Sequence, residues 1–155
     1  MKCEMLRPNL FSLYIVDEKT TIWPDHAFSC FFIVQHTDNT DFIHKLAFQL
    51  RFTCCRDFNF FGVHEPLWHQ HFDDVAMKWN PWHEKIADIT SGWATLDSFV
   101  DAIYLAVSTR CLFPNDVYLL YDDRLIYEEA MRAFDVCDGA KMIAKLNDTM
   151  SNKDR

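Results

Sequence analysis

The stretch HEPLWHQHFDD, residues 64–74, holds three histidines, one glutamate and two aspartates, which are residue types that bind metal ions. On a helix, Glu65, His69 and Asp73 would follow one another every four residues along one ridge, whereas His64 would lie before the first turn. Such a ridge could serve a metal-dependent hydrolase. It could equally be a solvated ridge in which the acids and the histidine form i, i+4 pairs. We favour the solvated ridge and expect no cofactor, with the hydrolase as the alternative.

The common catalytic motifs are absent from the sequence. The chain has three glycines, at positions 62, 92 and 139. This set is too sparse for a dinucleotide-binding loop, a Walker A loop or a G-x-S-x-G elbow. Two His-Glu pairs occur, but Trp68 and Ala87 stand where a zincin motif requires its second histidine. Six cysteines form no C-x-x-C, so they are expected to be buried thiols, and a Cys–His pair brought together by the fold stays open.

The negative charge is unevenly distributed along the chain. The net charge is −8, yet residues 1–56 are neutral, residues 57–96 carry −4 and residues 97–135 carry −5. A surface of this sign repels phosphate backbones and attracts basic proteins. We therefore expect no nucleic-acid partner and consider a basic protein partner, although acidity can also serve solubility alone.

The sequence offers no membrane span. The longest purely apolar runs have five or six residues, as in Cys30–Val34, whereas a span needs about 20. The first residues lack the apolar region of a signal peptide, so we expect a cytoplasmic protein without a membrane partner.

The periodicity of apolar residues outlines the elements. It predicts helices over 40–53, 66–78 and 96–109. Asp38 or Thr40 would cap the first of these helices and Thr95 the last. Shorter apolar or β-branched runs predict strands over 11–16, 27–35, 56–62, 84–91 and 116–121. The first two strands could form a long hairpin. After Asp122 and Asp123 the chain forms either another strand or, as we favour, a helix ending near Gly139.

These elements predict an α+β fold. We expect a single domain over residues 1–150, with a mixed β-sheet of four to six strands packed with three to four helices, and a frayed tail over 151–155. At 155 residues the chain can bury a substantial core without disulfides or structural metals.

Four of the five tryptophans lie in one stretch of 26 residues, and this stretch belongs to the acidic part of the sequence. The helical pattern turns Trp68 and Trp79 inward. Trp82 and Trp93 lie in turn-like contexts and are the expected exposed pair, suited to anchoring a protein partner.

The segments FDD (72–74), LDSFVD (96–101) and YDDR (121–124), set in a glycine-poor chain, resemble bacterial immunity proteins that neutralise toxins of the contact-dependent inhibition type. The resemblance implies a cationic nuclease domain as partner and inhibition by occlusion of its active site. The residues predicted to bind this partner are Asp73, Asp74, Trp82, Trp93, Asp97, Asp101, Asp122, Asp123 and Glu128. A non-catalytic regulatory subunit is a further alternative.

Overall fold

A computed structural model describes residues 3–15, 23–79, 89–108, 115–137 and 148 of the chain. Within these residues, six strands and four helices are formed. The strands are β1 (Cys3–Arg7), β2 (Leu10–Tyr14), β3 (Phe28–Ile33), β4 (Cys55–Phe61), β5 (Ile89–Trp93) and β6 (Asp116–Tyr121). The helices are α1 (Thr40–Arg51), α2 (Glu65–Trp79), α3 (Leu96–Ser108) and α4 (Arg124–Asp135).

All six strands belong to one sheet, in the order β1-β2-β6-β3-β4-β5. The five strands from β2 to β5 are mutually parallel, and β1 pairs with β2 in antiparallel fashion at one edge. Helices α1 and α2 pack together on one face, and α3 and α4 pack together on the other. Within this mixed sheet, the parallel strands thus follow a doubly wound arrangement.

The core has two halves, one on each face of the sheet. Because side chains alternate along a strand, Phe28, Cys30 and Phe32 of β3 contribute to the half beneath α1 and α2. Phe31 and Ile33 contribute to the half beneath α3 and α4. Every residue of β3 is buried, which is typical of a central parallel strand covered on both faces.

The predicted α+β class is confirmed, with six strands and four helices in the described residues. The three helices predicted from periodicity are present with ends shifted by at most two residues, and Thr95 caps α3 through Ser98 N. Asn39, rather than Asp38 or Thr40, caps α1. The chain after Asp123 forms the helix that we favoured.

The predicted hairpin between the first two apolar runs is wrong. Strand β6 inserts between β2 and β3 and is parallel to both, because a partner from about 100 residues further along the chain outcompetes the local pairing. The hairpin that does form joins β1 to β2 through Asn9, whose φ of 65° suits a tight turn. The predicted tail over 151–155 lies outside the described residues. In the part of the chain described here, no helix combines the length and apolarity needed to cross a bilayer.

Candidate functional site

The carboxyl edge of the parallel sheet is the candidate functional site. Each helix follows a parallel strand directly, so all four helices begin at this edge. Acidic residues stand at these helix starts and in the loop before α1. We call them the acidic rim: Asp38, Asp41, Glu65, Asp97 and Asp123.

Helix electrostatics explain why acids lie at these positions. Unpaired N–H groups and the positive end of the helix dipole stabilise negative side chains in the first turn. Asp123 is the N-cap of α4, and its carboxylate accepts from Ile126 N at 3.0 Å. It also accepts from His36 Nε2 at 2.8 Å. The Ile126 N–H, followed by the His36 ring, lowers the pKa of Asp123.

Basic residues are found toward the opposite edge. Arg51, Lys78 and Arg132 stand in the last turns of α1, α2 and α4, where the dipole favours cations. At the carboxyl edge itself lies Arg124, whose guanidinium is paired with Glu128 at 3.1 Å. Among the described residues, acids thus stand at all four helix starts, and bases stand in the last turns of three of the helices.

Exposed apolar side chains accompany the acidic rim. Tyr14, the last residue of β2, is 45% exposed, Val63 is 71% exposed and Leu125 is 76% exposed. All three follow or end parallel strands and so share the carboxyl edge. Carboxylates around exposed apolar side chains make a surface suited to protein binding.

The structure divides the acids that were predicted to bind a partner. Asp97 is exposed in the first turn of α3, and Asp101 is half-buried one turn later. Asp123 is the N-cap of α4, and Glu128 lies on the second turn of that helix, where its carboxylate pairs with Arg124. Asp122 is buried, and its carboxylate accepts three backbone hydrogen bonds. The prediction that Asp122 contacts a partner is therefore wrong, because its charge is used within the fold.

The predicted aromatic anchors do not form an exposed pair in the described residues. Trp93 ends β5 but packs against the core half beneath α3 and α4. Its indole N–H donates to Asn59 Oδ1 at 3.2 Å, so its polar end is used within the fold. Trp82 lies outside the described residues. Trp68 is fully buried, as predicted.

The ridge predicted on α2 exists and is hydrogen-bonded to β5. Glu65 Oε1 lies 3.1 Å from His69 Nδ1, and Thr90 Oγ1 lies 3.1 Å from His69 Nε2. The Thr90 hydroxyl also donates to Asp73. Gly92 permits this approach, because a Cβ there would lie 2.0 Å from Glu65 Oε1.

This geometry differs from that of a metal site. Glu65 and Asp73 lie against opposite nitrogens of the His69 ring and do not converge on one point. Among the described residues, no three His, Cys, Asp or Glu side chains are placed to hold an ion. The outer side of the ridge borders an open groove of about 440 Å³ that also includes Gln70 and Asp74. Asp73 and Asp74 thus lie on the outer surface of α2, in a groove that begins at Glu65 of the acidic rim.

Asp38 and Asp41 belong to the acidic rim but were not among the predicted contact residues. They lie in the first third of the chain, where acids and bases balance along the sequence. The signal that could have found them is the helix start near residue 40, combined with a parallel sheet that gathers all helix starts at one edge. Net charge per segment therefore misses what the topology brings together.

The fold and this edge define a doubly wound domain whose carboxyl edge is acidic and partly apolar. Comparison of the chain with protein-family models, curated proteins and solved structures finds no match.

Proposed function

We propose that the protein is a binding module that docks a basic protein partner on the carboxyl edge of its sheet. The observation that carries this proposal is the acidic rim, which gathers carboxylates from four helix starts around exposed apolar side chains. Such a surface attracts a cationic partner at long range and offers apolar anchors at contact.

The resemblance to immunity proteins narrows the proposed partner to the cationic nuclease domain of a toxin. Carboxylates would take the place of substrate phosphates and cover the active site of the nuclease. This role puts the protein in the cytoplasm, where such a nuclease would act. Asp73 and Asp74, which share a groove with Glu65 of the rim, would extend this contact along the outer surface of α2.

A rim acid at a helix start also stabilises its own helix, so charge placement alone does not separate binding from stability. The separation requires acids whose charge can be removed without breaking a described hydrogen bond. Asp38 and Asp97 are exposed and meet this need. Asp123 does not, because it caps α4.

The experiment compares two double variants of equal charge. Asp38→Asn with Asp97→Asn removes two of the five carboxylates of the rim, whereas Asp25→Asn with Asp135→Asn removes two exposed acids near the opposite edge. Each protein is immobilised and used to capture partners from a lysate of the source organism. We expect the wild type and the control to retain a basic protein that the rim variant loses. Equal capture by both variants would contradict the proposal.

A metal-dependent hydrolase at the α2 ridge is not the function we propose. Both nitrogens of His69 are directed at partners within the protein, and the two carboxylates lie on opposite sides of the ring. The ridge instead attaches α2 to the edge strand β5.

A further inference from the structure

The boundary between β6 and β3 is the point where the doubly wound sheet changes direction. The helix after β3, α1, covers one face, and the helix after β6, α4, covers the other. The chain leaves these two neighbouring strands toward opposite faces of the sheet. Such a point opens a crevice at the carboxyl ends of the strands, where ligands of doubly wound proteins typically bind. In this protein the crevice holds a side chain of the protein itself.

That side chain is Asp122. Its Oδ1 accepts from Gln35 N at 2.8 Å, and its Oδ2 accepts from His36 N at 2.9 Å and Thr37 N at 2.8 Å. Only 8% of the residue is exposed. Three consecutive backbone N–H groups directed at one anion form a nest, which is a recurrent anion-binding arrangement in proteins.

The nest is supported from its other side as well. The indole of Trp68, which is fully buried, donates to Thr37 O at 2.8 Å. The amide of Asp122 donates to Ile33 O at 3.2 Å and ties the two strand ends together. The loop over 35–37 thus has partners that do not depend on the Asp122 carboxylate.

We infer that the amides of residues 35–37 form an anion-binding site for a small carboxylate, which the chain fills with its own Asp122. The native site is therefore closed to external anions, and the bound carboxylate holds His36 where its ring meets Asp123. Removing the carboxylate opens the site without removing its donors. This inference is independent of the proposed partner.

Asp122→Ala tests the inference, because formate is the group that alanine lacks relative to aspartate. We expect the variant to melt at a lower temperature than the wild type. Sodium formate should raise its melting temperature in a saturable manner, and acetate should do so less. In NMR spectra, the amide signals of residues 35–37 should shift with the same saturation curve. Stabilisation no greater than that by sodium chloride at equal ionic strength would overturn the inference.

Two controls exclude general salt effects. The wild type should gain nothing from formate beyond the chloride effect, because its site is filled. Asp122→Asn keeps the volume of the side chain, so it should be destabilised but should not respond to formate. A formate response as large in either control as in Asp122→Ala would overturn the inference.

The inference stays testable if Asp122→Ala does not fold without formate. Folding that requires formate, and does not occur in chloride, supports the site. If the variant folds in neither salt, the inference is tested by measuring amide hydrogen exchange in the wild type. The amides of residues 35–37 lie outside the strands and should nevertheless exchange as slowly as those of β3. Exchange at the rate of an open loop would overturn the inference.

Discussion

Gly62 ends the sheet at β4 and turns the chain into α2. Its φ is +128°, a conformation that other residues rarely adopt, and an added Cβ would lie 2.6 Å from the backbone oxygen of Val34. That oxygen also accepts from His64 N at 3.0 Å, so it has little room to move. The turn therefore depends on glycine for both conformation and space.

We expect Gly62→Ala to lower the free energy of unfolding by at least about 2 kcal/mol, through backbone strain and the clash with Val34. Chemical denaturation measures this change. Gly92→Ala is the matched control, since its nearest contact is the end of a flexible side chain. An equal loss in the two variants would show that the strain at Gly62 has been overestimated.

His26 is the residue through which stability should depend on pH near neutrality. Its Nε2 lies 2.5 Å from Asp116 Oδ2, and this hydrogen bond is the main cause that raises the pKa of His26 above 6.5. Asp25 adds a weaker attraction. Since the folded pKa is the higher one, the stabilisation is complete below the unfolded pKa and is lost as pH rises through the folded pKa.

Titration of His26 by NMR tests this sign. Asp116→Asn should return the pKa of His26 toward 6.5 and remove the associated loss of stability with rising pH. The His26 side chain is 58% exposed, so solvent screens the pair and the effect on stability should be small. Asp25→Asn should shift the pKa of His26 less. A His26 pKa unchanged by Asp116→Asn would contradict the role of this hydrogen bond.

At the scale of elements, the bonds between α2 and β5 hold an edge strand in place. β5 pairs with β4 on one side, and Thr90 and Gly92 bring it against Glu65 and His69 of α2. Because Glu65 Oε1 would lie 2.0 Å from a Cβ at position 92, Gly92→Ala should displace the carboxylate from His69.

A double-mutant cycle isolates this contact. In the wild-type background, Gly92→Ala should cost about 1 kcal/mol, the value of one lost hydrogen bond. In a Glu65→Ala background the contact with Glu65 is gone and the nearest remaining atom is His69 Nδ1 at 3.2 Å, which a small shift of the ring relieves. Alanine should then be neutral or stabilising by up to about 1 kcal/mol, because glycine weakens strands. Denaturation of the four proteins measures the coupling. If Gly92→Ala lowers stability equally in both backgrounds, its cost does not come from the contact with Glu65.

The elements could be predicted from the sequence to the extent that their signals are local. The stripe of Phe99, Val100 and Ile103 identifies α3, and the charged ridge of α2 was visible in the spacing of its residues. The strand order was not visible, because insertion of β6 between β2 and β3 depends on packing between distant segments. The burial of Asp122 depends on the same insertion, so its role as an internal ligand could not be predicted.

At the scale of the whole molecule, charge and topology are coupled. Parallel strands place every helix start at one edge, and helix dipoles favour acids at starts and bases at ends. Local stabilisation of acids at four helix starts thus concentrates negative charge at the carboxyl edge. This concentration of charge requires no change in core packing, and its field would attract a cationic partner toward the acidic edge.

This coupling predicts how binding should respond to salt. For the basic protein captured by the wild type, we expect neutralisation of Asp38 and Asp97 to lower the association rate several-fold at low salt, because the rim steers the encounter. From about 0.01 M to about 1 M salt the screening length falls from about 30 Å to about 3 Å, so the rates of the two proteins should converge. Stopped-flow measurements across this range test the prediction, with Asp25→Asn/Asp135→Asn as the control of equal charge. An equally reduced rate in the control would mean that net charge governs the encounter. A difference that persists at high salt would mean that a direct contact governs it, rather than the field of the rim.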